Sequence, residues 1–116
     1  MIKREHVTQR MSQSVVHGGL VYLSGQIAKD TSQDITLQTQ TTLENVAELL
    51  TSVGSNKEQI LSANIYLKTM EDFAAMNAVW DQWVSNGHAP ARTCVQAHLA
   101  TDALLVEITV IASVTL

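Results

Sequence analysis

Apolar positions change period several times along this chain, and each change marks an element. Val15 to Val21 reads VVHGGLV and continues through Tyr22, Leu23, Ser24 and Gly25. Two glycines between short β-branched and aromatic runs predict a hairpin, Val15–His17 then Leu20–Ser24, because glycine takes positive φ without a Cβ clash. A polar run, AKDTSQD, then predicts a loop over Ala28–Asp34. From Ile35 to Val53 the period becomes helical: Thr39 supplies no apolar anchor, but Leu43, Val46, Leu50 and Val53 line one face. Asp34 suits the N-cap, and Gly54 suits the left-handed residue that closes such a helix. Ile60–Lys68 (ILSANIYLK) reads as a strand centred on Ile65, Tyr66 and Leu67.

A second helix follows, with Glu71 and Asp72 at the end where the helix dipole favours negative charge. Phe73, Met76, Trp80 and Trp83 form its apolar stripe, Gly87 ends it, and Pro90 bars continuation. Two strands finish the chain, Arg92–His98 and Leu104–Val114, with a turn around Asp102. The predicted order is β-β-α-β-α-β-β, an α+β fold with one sheet and two helices on one face. No internal repeat or linker interrupts it, so residues 1–116 read as a single domain. The last strand is apolar at Val106, Ile108, Val110 and Ala112, and also largely apolar on its other face at Leu105, Thr109 and Ile111. Helices cover only one face, so the other calls for a partner, most simply another copy of the chain.

Composition narrows the class. The chain has 116 residues, 46% hydrophobic, with net charge −4. Seven scattered Lys and Arg residues make no basic stripe, which argues against nucleic acid as a partner. No apolar run is long enough to span a membrane, and the polar Met1–Arg10 segment lacks a secretory core. Cys94 is the single cysteine, so a cytoplasmic protein without intrachain disulfide is expected. His6, His17, His88 and His98 lack metal-ligand spacing, and no metal is expected.

The chemistry gathers around "HAPARTCVQAH", His88–His98. On a strand, Arg92, Cys94, Gln96 and His98 share one face. Glu107 lies on the following strand. If the two strands pair as a hairpin, Arg92 and Glu107 approach each other. Two readings of that pair stand side by side. One is an ordinary structural ion pair. The other is an anion grip beside a proton carrier: a guanidinium is a two-pronged donor for a carboxylate, and a desolvated carboxyl exchanges protons nearer neutrality. Cys94 reads as a small strand hydrophobe, since no base is positioned beside it. The Phe73–Trp83 stripe reads as core, and Gly25 as a turn element that also permits close approach to the backbone.

Four segments, YLSGQIA (Tyr22–Ala28), DFAAMNAVW (Asp72–Trp80), APARTCVQ (Ala89–Gln96) and VEITVIA (Val106–Ala112), resemble in order and spacing the Rid family, the YjgF-like reactive-intermediate deaminases. Older labels for the family are L-PSP endoribonuclease and translation initiation inhibitor. The resemblance runs from about Gln13 to Ala112. It implies a chorismate-mutase-like fold, a homotrimer with a central barrel, and ligand clefts between subunits. The implied reaction is cofactor-free hydrolysis of 2-imino acids, tautomers of 2-aminoacrylate-type enamines, to 2-keto acids and ammonia. Position by position, Arg92 matches the substrate-carboxylate arginine, Cys94 a cysteine whose backbone lines the pocket, and Glu107 the glutamate that positions or activates water. Ser24 and Gly25 match a wall of the site, and Asn77 a helix asparagine at the cleft. Met11 stands where the best-known deaminases carry a tyrosine. That departure, a short Ala28–Asp34 loop and a divergent Ala97–Ala103 segment suggest a branch outside the best-studied deaminases. The competing classes are a non-catalytic binder of small carboxylates and a ribonuclease or translation inhibitor.

Overall fold

In the computed structural model, which describes residues 1–115, six strands form one mixed sheet. They are β1 (Lys3–Val7), β2 (Ser12–His17), β3 (Leu20–Leu23), β4 (Ile60–Leu67), β5 (Ala91–Gln96) and β6 (Val106–Ser113), in the spatial order β1-β2-β3-β6-β4-β5. Helices α1 (Ile35–Ser52) and α2 (Phe73–Trp83) connect β3 to β4 and β4 to β5. Among the described residues no helix is long and apolar enough to cross a membrane.

Local chemistry explains most of the elements. Gly18 and Gly19, at φ 60° and 79°, turn β2 into β3. The Asp34 carboxylate accepts the Leu37 N–H at 3.0 Å and starts α1, and Gly54 at φ 80° follows its end. Thr39 is buried in α1 and returns its hydroxyl proton to the Ile35 carbonyl at 2.7 Å. The second helix begins differently from expectation. A 3₁₀ turn over Met70–Asp72, capped by Thr69, precedes α2, so Glu71 and Asp72 lie in that turn. α2 also stops at Trp83, where Val84 turns extended, and Gly87 belongs to the loop beyond.

Two further features depart from the sequence reading. First, β1 exists, although its exposed KREHV sequence carries no alternation of apolar and polar residues. Its backbone pairs antiparallel with β2, and that pairing creates the strand. Second, β5 and β6 do not form a hairpin. β4 lies between them, parallel to β5 and antiparallel to β6. The cause is the β4–α2–β5 connection: a helix that returns the chain to its starting edge brings the next strand in parallel. β3–α1–β4 is also a parallel crossover, with β6 inserted between its two strands.

The core lies between the helices and one sheet face. Val21, Leu23, Ala63, Ile65, Leu67, Val106, Ile108, Val110 and Ala112 pack there with Leu43, Val46 and Leu50 of α1 and Met76 and Trp80 of α2. The opposite face carries Tyr22, Tyr66, Glu107, Thr109 and Ile111, and among the described residues no helix covers it.

Candidate functional site

Strand pairing decides where the candidate residues point. Arg92 is opposite Ala63, and Glu107 is opposite Tyr66. Ala63 and Tyr66 are three apart on β4, so they project to opposite faces. Arg92 therefore faces the helix side of the sheet and Glu107 the uncovered side. Strand spacings of about 4.8 Å and rises of about 3.3 Å separate their Cα atoms by roughly 14 Å. The expected approach of Arg92 to Glu107 does not occur within one chain. The ion pairs among the described residues are Lys3–Glu5, Lys29–Glu44, Lys29–Glu48 and His88–Glu58, so the structural Arg92–Glu107 bridge is absent too.

The candidates instead fall into two clusters. The first lies between β5 and α2. Arg92, on an exposed edge strand, sits over the Trp80 ring with its guanidinium carbon 5.3 Å from the ring centre. Cys94 follows on the same face, half-buried. Burial pushes its thiol above the ordinary range, while the Arg92 charge pulls it down. Asn77 stands one turn before Trp80 on α2. Its side-chain carbonyl oxygen is buried and has no hydrogen-bond partner among the described residues. An orphan acceptor of this kind favours an incoming donor.

The second cluster joins the Gly25 contact with Glu107 to a neighbouring Ser24–Gln13–Gln26 network, whose amides line a groove with Asn45, Glu48, Leu49 and Ser52 of α1. Gln26 and Ile108 exchange two backbone hydrogen bonds, at 2.8 and 3.0 Å, and this clamps Gly25 against Glu107. A Cβ on Gly25 would lie 2.8 Å from the Glu107 carboxyl carbon and 3.2 Å from its Cγ, so any other residue displaces the carboxylate from this position. Gly25 is needed here for space rather than for its φ. The Ser24 hydroxyl donates to Gln13 Oε1 at 2.9 Å, and Gln26 Nε2 donates to the same oxygen at 3.1 Å. Met11 is exposed in the β1–β2 turn, two residues before Gln13, and so stands at the same end of the sheet.

The sequence reading missed three contributors. Gln13 and Gln26 fix Ser24, and nothing in their local pattern distinguishes them from surface amides. Gln38 is fully buried. Its amide donates to the Thr31, Gln33 and Ala103 carbonyls at 3.2, 3.0 and 3.0 Å, and its oxygen accepts the Leu105 N–H at 3.0 Å. One side chain thus ties the loop after Gly25 to the segment before Glu107. A polar residue on the buried face of a helix was its one visible signal. Among the described residues no group of three or more His, Cys, Asp or Glu side chains is placed to hold a metal ion.

Comparison with known proteins shows the family and the fold. Residues 1–114 match the family model described as Endoribonuclease L-PSP. The RutC family protein YoaB of Escherichia coli strain K12 is 42% identical over 113 residues, covering 97% of this chain and 98% of YoaB. A crystal structure of an uncharacterized Pseudomonas aeruginosa protein superposes with TM-score 0.96 at 44% identity, over 99% of this chain and all of that one. A member of the YjgF protein family from Neisseria meningitidis gives TM-score 0.96 at 39% identity, over 99% of this chain and 96% of that one.

Proposed function

The chain belongs to the L-PSP endoribonuclease family, which includes the RutC and YjgF proteins, and from that premise we propose that it hydrolyses small 2-imino acids to 2-keto acids and ammonia. The observation that carries the reading is a guanidinium with no carboxylate partner among the described residues, together with a carboxylate packed against bare glycine backbone at Gly25. Arg92 has its N–H groups available for a substrate carboxylate, and Glu107, packed against Gly25, handles a proton.

Arg92 and Glu107 lie on opposite faces of one sheet, so a complete site takes Arg92 from one copy and Glu107 from another. A homotrimer closed on the uncovered sheet face meets that requirement and buries Tyr22, Val95 and Ile111. In the cleft, Arg92 grips the substrate carboxylate, and Cys94 and Asn77 complete that wall. Ser24 and Gly25 form the opposite wall. The imine carbon becomes electrophilic once its nitrogen is protonated. Glu107 takes a proton from water as the oxygen attacks that carbon, giving a carbinolamine. The carbinolamine nitrogen, protonated in turn, leaves as ammonia, and the C=O bond of the keto acid forms. No electrons pass to or from an external acceptor, so the step needs no redox cofactor. Holding both reactants in register supplies much of the acceleration.

The test generates 2-imino acids with an amino-acid oxidase and traps the imine that remains. Wild-type protein shortens the imine's lifetime. Arg92→Ala lowers kcat/KM by about 10–100-fold, the worth of a charge-assisted fork. Equal rates for the two proteins would remove the catalytic claim.

Met11 favours a second reading, a non-catalytic binder of small carboxylates, because a thioether carries no hydroxyl proton to offer a ligand. Calorimetry separates the two: keto-acid binding without imine turnover selects the binder. The acidic balance and scattered basic residues weigh against RNA as the substrate.

A further inference from the structure

We propose that Trp80 is a positioning residue: its ring holds the Arg92 guanidinium by the face and leaves the N–H edge free for a carboxylate. The inference deepens the proposed function and rests on Arg92 as the carboxylate clamp. An arginine on an exposed edge strand has many rotamers, and a clamp must occupy one of them before its ligand arrives. A carboxylate of the same chain would fix the rotamer but consume the donors. An aromatic face fixes it while leaving the donors in the guanidinium plane unused.

The ring is itself held firmly. Trp80 is 4% exposed and packs at 5.6 Å and 44° against Trp83. Trp83 is also held by Lys57, whose ammonium lies 5.4 Å from the ring centre and donates to the Trp83 carbonyl at 2.6 Å. The series Lys57, Trp83, Trp80, Arg92 therefore runs from a buttressed loop to the exposed edge strand. The stripe that the sequence presents as core also serves the site through one of its members.

Trp80→Leu and Trp80→Phe, each alone and combined with Arg92→Ala, test the proposal with three readouts. These are the Kd of 2-ketobutyrate by calorimetry, the kcat and KM of imine hydrolysis, and the pH dependence of Cys94 alkylation by iodoacetamide. Trp80→Leu is expected to raise Kd and KM about 10-fold with kcat within about twofold, as loss of a held cation predicts. Trp80→Phe, which keeps a π face and a folded core, recovers most of that loss. On the Arg92→Ala background Trp80→Leu adds nothing. Unchanged Kd in Trp80→Leu, or an undiminished effect without Arg92, overturns the proposal. If the wild type neither binds the keto acid nor turns over the imine, the clamp reading falls and the thiol still judges Trp80. Alkylation shifted by Trp80→Leu as it is by Arg92→Ala supports the hold on Arg92, and alkylation unmoved by Trp80→Leu refutes it.

Discussion

Substituting Gly25 with alanine adds one methyl group where Glu107 already stands. The new Cβ would meet the carboxyl group, 2.8 Å from its carbon and 3.2 Å from Cγ. Carbon atoms in contact prefer about 3.5–4.0 Å, so the carboxyl group must retreat by roughly 1 Å. Gly25 has no positive φ, so alanine adopts its backbone without strain. The burden falls on Glu107, a flexible side chain that escapes by leaving its rotamer at a cost of about 1 kcal/mol. For a chain of this size that lowers Tm by about 4 °C. Catalysis suffers more, because a 1 Å displacement of a reacting group costs about 100-fold in rate. Imine trapping should therefore show a fall in kcat of about 30–100-fold, well beyond any rise in Kd for 2-ketobutyrate, since Arg92, which grips the carboxylate, lies in the other cluster. The sharper check is the double substitution. With Glu107→Ala already in place, the carboxylate that Gly25→Ala displaces is gone, so the second change costs little activity. Full activity in Gly25→Ala, or losses that simply multiply in the double variant, would refute the reasoning.

Other outcomes follow from single side chains. Gln38→Leu keeps the buried volume but strands the Thr31, Gln33 and Ala103 carbonyls and the Leu105 N–H. Urea denaturation should show a loss of about 3 kcal/mol, and a loss under 1 kcal/mol would mean that water replaces the amide. Cys94 should alkylate with an inflection above the ordinary thiol range, because burial favours the neutral form. Removing the Arg92 charge takes away the opposing pull, so Arg92→Ala should move the inflection higher, and a downward move contradicts the contact.

Which parts of this protein local pattern could reveal is plain from particular residues. Leu43, Val46 and Leu50 marked α1, Asp34 its start, and Gly18–Gly19 the β2–β3 turn, because caps, turns and periodic faces depend on neighbours within a few positions. The apolar residues on both faces of β6 signalled a sheet with one side left bare. Strand pattern singled out Arg92 and Glu107, and the resemblance to the Rid family added Cys94, Ser24, Gly25, Asn77 and Met11 as candidates. Strand neighbours belong to tertiary structure. β1 arises from backbone bonds to β2 that its polar side chains do not advertise. β5 joins β4 because α2 reverses the chain, and that one placement moves Arg92 to the helix side and leaves Glu107 on the bare side. The Gly25–Glu107 contact, the Gln38 clamp and the Trp80 rest for Arg92 likewise join residues distant in sequence. Hydrogen-bond partners across a sheet and packing through a core are set by the whole chain closing at once, and no short window of sequence contains them.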